Sequence, residues 1–413
     1  MKQKVYPWLI VLFSGLMCAV IANTYTVMMS LFLDPLVHAL HAPLSAVSYF
    51  MTITIISMSF GFVLVGRFIT KVHFNWALAL AVIMTAAAVA VLSQARNLIV
   101  LYLTAVIIGL GCAFTGYIVQ GILVNNWFVA KKNFAFSLCA VVVSVYLMFS
   151  SSFTTILITK LGWRSALLTL GCISLVIGLL GAFIMKLRPE DIGLKAYGAE
   201  QTQGSTETTS ILTAPQIKTK SVIFSAAFVL VLLFYALVEF GGNIQSLIPV
   251  FTTRSGFGPT AGGLIITLIS AAEIFVTPLF GITTDKWGSK AVAAWLICPI
   301  AAMLLFILAA NTKSFVLLYS AALLTTACAT VMGTGEQVFG AEMFGPAFDI
   351  GYSNVSAITG VIGAFATPIF SYIYEGSNSF IVVFIVVAII YFIALIIPLI
   401  GPKFRLRFEN KGE

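Results

Sequence analysis

Three carboxylic acids stand where a carboxylic acid is expensive. Glu239 lies in the run FYALVEFGGNIQSLIP, Glu336 in VMGTGEQVFG and Glu273 in LISAAEIFVTP. A charge in the middle of such a run costs at least about 2.5–3.5 kcal/mol on the insertion scale, so it usually faces a cavity and usually functions. The chemistry open to these groups is pairing with a cation, or taking up and releasing a proton, because desolvation disfavours the ionised form of a carboxyl. Amides and hydroxyls accompany them. Asn243 follows Glu239 by one helical turn on the same face, Gln337 adjoins Glu336, and Glu273 shares a face with Ser270 and Thr277. Gly241 and Gly242 offer a place for the helix to loosen between Glu239 and Asn243.

The first half of the chain has polar residues inside apolar runs but no acid there: Asn23, Tyr25, Tyr117 and Gln120. Tyr117 and Gln120 are three apart and share a face. Each alone reads as a packing hydrogen bond; together they read as a polar lining. Ser150, Ser151 and Ser152 read as helix-packing residues. The six cysteines (Cys18, Cys112, Cys139, Cys172, Cys298 and Cys328) fall inside apolar runs without metal-type spacing, so packing is their expected role. His38 and His41 with Asp34 are too few donors for a metal and read as a solvated turn. The expectation is no metal and no cofactor, with a proton or ion gradient as driving force.

The surrounding elements must be membrane helices. Hydrophobic residues make up 60% of the 413 and charged residues 9%, against about 25% charged in a soluble chain, and mean hydropathy is +1.08. The long unbroken apolar blocks exclude a barrel, whose strands alternate. Candidate spans run near 7–33, 46–66, 75–94, 98–127, 134–158, 163–186, 222–251, 259–284, 290–311, 314–340, 350–373 and 379–401, each close to the 20 or so residues a crossing needs. The first is too long for a cleaved signal peptide and lacks a small-residue cleavage pattern.

The net charge of +8 follows from topology and does not point to nucleic acid. With the N-terminus inside, the outer loops hold only Arg96, Lys160, Arg164, Arg254 and Lys313 of the 22 basic residues. That asymmetry predicts both termini on the cytoplasmic side of a cytoplasmic membrane. Every basic residue sits in a loop or at a span end, so the membrane interior holds acids and no cations.

The chain also repeats. Gly66-Arg67-Phe68-Ile69-Thr70-Lys71 follows the second span, and Gly281-Ile282-Thr283-Thr284-Asp285-Lys286-Trp287-Gly288-Ser289-Lys290 follows the eighth. A shift of 216 positions carries Gln120 to Glu336 and Asn23 to Glu239. The expected organisation is a six-helix bundle over 1–186, a cytoplasmic tether over 187–220, a second bundle over 221–402 and a tail over 403–413.

Gly281, Asp285, Lys286, Gly288 and Lys290 resemble the loop motif G-x-x-x-D-K/R-x-G-x-K/R of the major facilitator superfamily, a gating element in that family. In the first-half copy Thr70 replaces the usual Asp and His73 the usual Gly. Arg188-Pro189-Glu190-Asp191-Ile192-Gly193-Leu194, Asn126-Trp127-Phe128 and the Phe240-Gly241-Gly242 break resemble the oxalate/formate antiporter and monocarboxylate transporter branch. The resemblance implies an all-α fold of twelve helices in two pseudo-symmetric bundles. It also implies a monomer that moves a small organic solute by alternating access, probing each side of the lipid bilayer in turn.

Two departures bear on the solute. Thr277 stands where that branch places an arginine in the eighth span, and Thr359 where the oxalate type places a lysine in the eleventh. Family resemblance favours an organic acid, monocarboxylate-like or amphipathic; the residues themselves favour a neutral or cationic solute, drug-like amines included. A primary pump is disfavoured because no G-x-x-x-x-G-K-[ST] loop occurs. A membrane enzyme lacks a nucleophile-plus-base motif and leaves the repeat unexplained. A non-transporting sensor is the remaining alternative.

Overall fold

The structure is a computed structural model that describes residues 2–71, 74–198 and 222–406. His73, the 199–220 part of the expected tether and the tail beyond Leu406 lie outside the described residues. Those described are helical almost throughout, with a single isolated bridge between Phe128 and Tyr197.

Eleven stretches are long and apolar enough to cross a membrane. One of them, Phe134–Ile184, has 51 residues, or roughly 75 Å of helix against about 30 Å of hydrocarbon. Gly162 interrupts it with φ 81° and ψ 160°, so it holds two crossings, the fifth and sixth. The other spans are Val5–Leu40, Leu44–Phe62, Phe74–Ser93, Leu98–Trp127, Ala226–Arg254, Pro259–Trp287, Ser289–Thr312, Phe315–Ala347, Asn354–Ser377 and Phe380–Phe404. They are numbered one to four and seven to twelve. Side-chain caps begin several of them: Asn97 accepts from Val100 N, Ser225 from Phe228 N, Ser314 from Leu317 N and Ser379 from Ile381 N.

The irregularities of the helices follow the repeat. Span one tightens to a 3-10 turn at Met28–Phe32 and span seven at Asn243–Leu247, which the 216-position shift carries onto 27–31. Span four breaks at Gly116, which adopts extended angles; its mate, Met332, lies in the π-turn Val331–Gly335 of span ten. The π-turn Cys18–Asn23 in span one has no counterpart, since 234–239 is regular α-helix. Asn23 there donates from Nδ2 to Cys18 O (3.1 Å), bonding a carbonyl five residues back.

By contacts the chain forms two units that cut across the repeat. The first joins Met1–Thr208 with Ile248–Ala271. Glycines let its helices touch: a Cβ on Gly109 would stand 2.4 Å from Thr54 O, and one on Gly111 1.8 Å from Thr85 Oγ1. The end of span seven and the start of span eight belong here because Arg254 pairs with Asp34, Gly263 lies against Thr155, and Thr267 bonds Ser151, Ser152 and Met148 O. Asp34, expected in a solvated turn, is 8% exposed. The serine triplet packs helices, with Ser150 donating to Met28 Sδ.

The opening of the expected tether is built structure. Pro189–Ile192 forms a 3-10 turn closed by Gly193 at φ 69°. Asn126 Nδ2 donates to Leu187 O (3.0 Å) and Trp127 Nε1 to Lys186 O (2.8 Å). Tyr197 exchanges backbone bonds with Trp127 and Val129 and packs its ring on Trp8 and Phe128. The two short motifs named above thus hold each other.

The second unit joins Thr209–Leu247 with Ala272–Glu413. Phe234 meets Phe339 edge-on at 4.8 Å, and Phe306 stacks on Phe384 at 5.2 Å. A Cβ on Gly242 would stand 2.0 Å from Met332 Sδ, and one on Gly241 3.1 Å from the Tyr391 ring. These glycines let span seven approach spans ten and twelve, and the helix tightens to 3-10 directly after them.

Candidate functional site

The carboxyls of the second unit converge. Span seven presents Leu232, Ala236, Glu239, Asn243 and Ser246 as half-buried positions at alternating spacings of four and three, so one reachable stripe carries the acid, the amide and a hydroxyl. Asn243 turns its Nδ2 back onto Glu239 O (2.7 Å), which leaves its Oδ1 as the outward group. Across from both is Gly363 of span eleven. A Cβ there would lie 3.3 Å from Glu239 Oε2 and 3.3 Å from Asn243 Nδ2, so its missing side chain leaves the carboxyl room.

Glu336 sits behind this stripe, directly after the π-turn of span ten, and is 3% exposed. It is close enough to Glu239 for the two charges to interact. Tyr235 donates its hydroxyl to the Glu336 backbone carbonyl, and Gly340 packs against that hydroxyl. Glu336 Oε1 has no hydrogen-bond partner among the described residues, and neither has the hydroxyl of Tyr391. Tyr391, fully buried on span twelve, is in electrostatic reach of both acids, with Cys328 beside it. Buried polar atoms normally find partners, and those that do not call for a water, ion or ligand.

The other expected residues fall elsewhere. Glu273 is half-buried on span eight; the acid whose charge reaches Glu336 is Glu239. Gln337 is exposed and lies 3.5 Å from the Tyr352 hydroxyl. In the first unit, Tyr117 is 58% exposed and donates to Asn23 Oδ1 (3.1 Å). Asn23 itself is buried, its amide occupied by the π-turn. Tyr25 faces span six, bonded to Ser174, so it is a packing group and not part of a lining. Gln120 is 6% exposed with its Oε1 unpartnered, as in its repeat mate Glu336. It borders a 10 Å³ gap with Ser14 and Thr115, about the room one water needs.

In the loop motif, Asp285, Lys286 and Lys290 are exposed, and Lys286 Nζ lies over the Trp287 ring at 5.4 Å. Gly288 turns the chain at φ 56°. A side chain there would crowd Glu342, whose Oε2 accepts from Ser289 N (2.9 Å) and caps the ninth span. Gly281 has open space around it.

Sequence reasoning missed Tyr391, Gly363 and Glu342. Tyr391 had a signal: it is the one polar side chain in FIVVFIVVAIIYFIALIIPLI. Gly363 and Glu342 had none, since a glycine's or a capping acid's role depends on which neighbour it meets.

Twelve apolar crossings, an internal repeat and carboxyls buried among the helices define a secondary transporter of the inner-repeat type. The family model of the Major Facilitator Superfamily matches residues 11–334 and, overlapping, 240–411. The chain belongs to that superfamily. No curated protein matches it in sequence. In structure it is similar to the nucleoside transporter NupG (TM-score 0.73, 13% identity, 98% of this chain and 100% of that one). It is also similar to a bacterial homolog of the human lysosomal transporter Spinster in an inward-facing, unoccupied conformation (TM-score 0.68, 13% identity, 98% and 99%). At that identity the likeness speaks for the fold. The chain is therefore a membrane transporter and not an enzyme, and neither comparison reaches the oxalate/formate and monocarboxylate branch.

Proposed function

We propose that the chain couples the movement of a small organic solute to protons, with Glu239 and Glu336 as the proton-carrying carboxyls. The observation that carries this reading is their pairing in the interior of one unit without a basic partner: among the described residues, the ion pairs belong to Asp34. Two carboxylates side by side away from water repel each other, and protonation of one relieves both the repulsion and the desolvation. Glu239, on the reachable stripe, is the point of exchange with solute or water. Glu336, behind it, is the store.

Infrared difference spectroscopy of the reconstituted protein across a pH step tests this without any solute. A protonated-carboxyl band is expected to appear on acidification and to shrink in both Glu239→Gln and Glu336→Gln. A band unchanged in both variants removes the pair from the coupling.

A second reading, an amphipathic organic acid, is favoured by one observation. The Asn126-Trp127-Phe128 and Arg188–Leu194 motifs, on which the branch resemblance rests, are joined in the first unit, where Asn126 and Trp127 bond the carbonyls of Leu187 and Lys186 that lead into the second motif. In that case the solute is held by apolar contact and by amide and hydroxyl donors.

A further inference from the structure

The acceptors of the second-unit cluster outnumber its donors, and this imbalance defines what fits. Glu239 offers a carboxylate on a reachable stripe, with no basic partner among the described residues. Asn243 has directed its amide nitrogen to Glu239 O at 2.7 Å, so its Oδ1 is the group left to offer. Glu336 Oε1 is unpartnered behind them. The Tyr391 hydroxyl, from a different helix, is also unpartnered, fully buried and in reach of both acids. Carboxylate and carbonyl oxygens accept only, so a complementary group must be rich in N–H or O–H donors.

The positions of the glycines add size. Gly363 leaves open the space beside Glu239 and Asn243, and no atom lies within 4 Å of where a Cβ on Gly360, or on Gly333 in span ten, would be. A bare metal ion would want this space filled by further oxygens. Among the described residues no group of three or more His, Cys, Asp or Glu side chains could hold a metal. We propose that the cluster binds the ammonium group of an organic cation, Glu239 and Asn243 accepting its N–H donors while Gly363 makes room for its first carbons. The proposal rests on the proton-coupled reading above and names the solute class for it: ammonium and proton compete for the same carboxyl, so the two are exchanged.

The test uses the purified full-length protein and two matched sets of probes: hexylamine, hexanol and hexanoate, and phenethylamine, 2-phenylethanol and phenylacetate. Thermal stabilisation is read for each, with sodium chloride as a separate arm. At least one amine is expected to stabilise the protein where its alcohol and acid counterparts do not, and its apparent affinity to fall at least about tenfold in Glu239→Gln, the factor that about 1.4 kcal/mol of lost charge pairing gives. Gly363→Ala, whose added methyl meets both Glu239 and Asn243, is expected to weaken the amine severalfold and serves as the second variant if Glu239→Gln does not fold. Stabilisation by the acids or by sodium instead, amine binding indifferent to both variants, or no amine binding at all each overturns the proposal. The infrared band separates the two claims: a band that depends on Glu239 without amine binding sinks this inference and leaves proton coupling standing. Amine binding without such a band does the reverse.

Discussion

Arg254 at the end of the seventh span places Nε 2.9 Å from Oδ1 of Asp34, 220 positions away in the first. Asp34 is held at 8% exposure, and His38, one turn further on, reaches its other oxygen at 3.6 Å while remaining largely in solvent. Ser30, Thr155 and Thr253 line a 230 Å³ hollow beside them. The pair therefore joins segments that sequence places far apart, at the end of the helices that the charge asymmetry assigns to the outer face.

Breaking that pair should cost stability, because either partner alone is a mostly buried charge. Arg254→Ala and Asp34→Asn are each expected to lower stability by about 1–2 kcal/mol, less than a fully buried pair because both side chains keep some contact with water. The pairing is best read from the double variant in thermal denaturation. If Arg254 and Asp34 act together, Asp34→Asn should cost little more once Arg254 is gone. Strict additivity would show that each residue works alone.

Glutamine at the two acids should separate coupling from binding. Glu239→Gln is expected to abolish uphill, proton-driven accumulation while leaving counterflow exchange partly intact, since exchange needs no net proton movement. Glu336→Gln should also abolish accumulation, yet disturb solute affinity less because Glu336 lies behind the reachable stripe at 3% exposure. Radiolabelled uptake into proteoliposomes, with and without a pH gradient, makes the comparison. Full accumulation by Glu239→Gln would take that residue out of the mechanism.

What the sequence made legible was whatever composition or period encodes. Apolar run length gave the crossings, and only the junction at Gly162 needed its φ of 81° to show two spans in one stretch. The acids were legible for the same reason: Glu239 and Glu336 break an apolar run. Their convergence with Tyr391 was not, because packing of spans seven, ten and twelve depends on which glycines face which neighbours. Tyr25 shows the opposite error. A polar residue in mid-span resembles a lining residue until Ser174 is found bonded to it from another helix. Asp34 looked solvated for want of Arg254, and the stretch after span six looked like a plain tether for want of Trp127.

That stretch makes its own prediction. Trp127→Phe keeps an aromatic ring and removes the donor to Lys186 O, and is expected to cost about 1–2 kcal/mol by leaving a largely buried carbonyl unpaired. Gly198→Ala should cost a similar amount or more. Gly198 has φ +87°, and its Cβ would stand 2.4 Å from that of Ala130. Limited proteolysis after residue 186 reads the result directly, since release of this segment would speed cleavage there. Cleavage at the parental rate in both variants would mean that the turn at Pro189–Ile192 holds without Trp127 or Gly198.

Glycines in the spans offer the sharpest contrast between packed and open positions. Gly111 in span four faces span three so closely that a Cβ would stand 1.8 Å from Thr85 Oγ1 and 3.3 Å from Ala81 O. Gly111→Val should therefore cost about 1–3 kcal/mol or more from overpacking, seen as a loss of monodisperse protein on extraction. Gly360 in span eleven has no atom within 4 Å of its Cβ position, and Gly360→Ala should be neutral or mildly stabilising, by up to about 1 kcal/mol from helix propensity. The pair is measured together by fluorescence-detected gel filtration after a heating series. Equal melting of the two variants would show that spans three and four do not need the close approach that Gly111 permits, and that the contact is incidental to the fold.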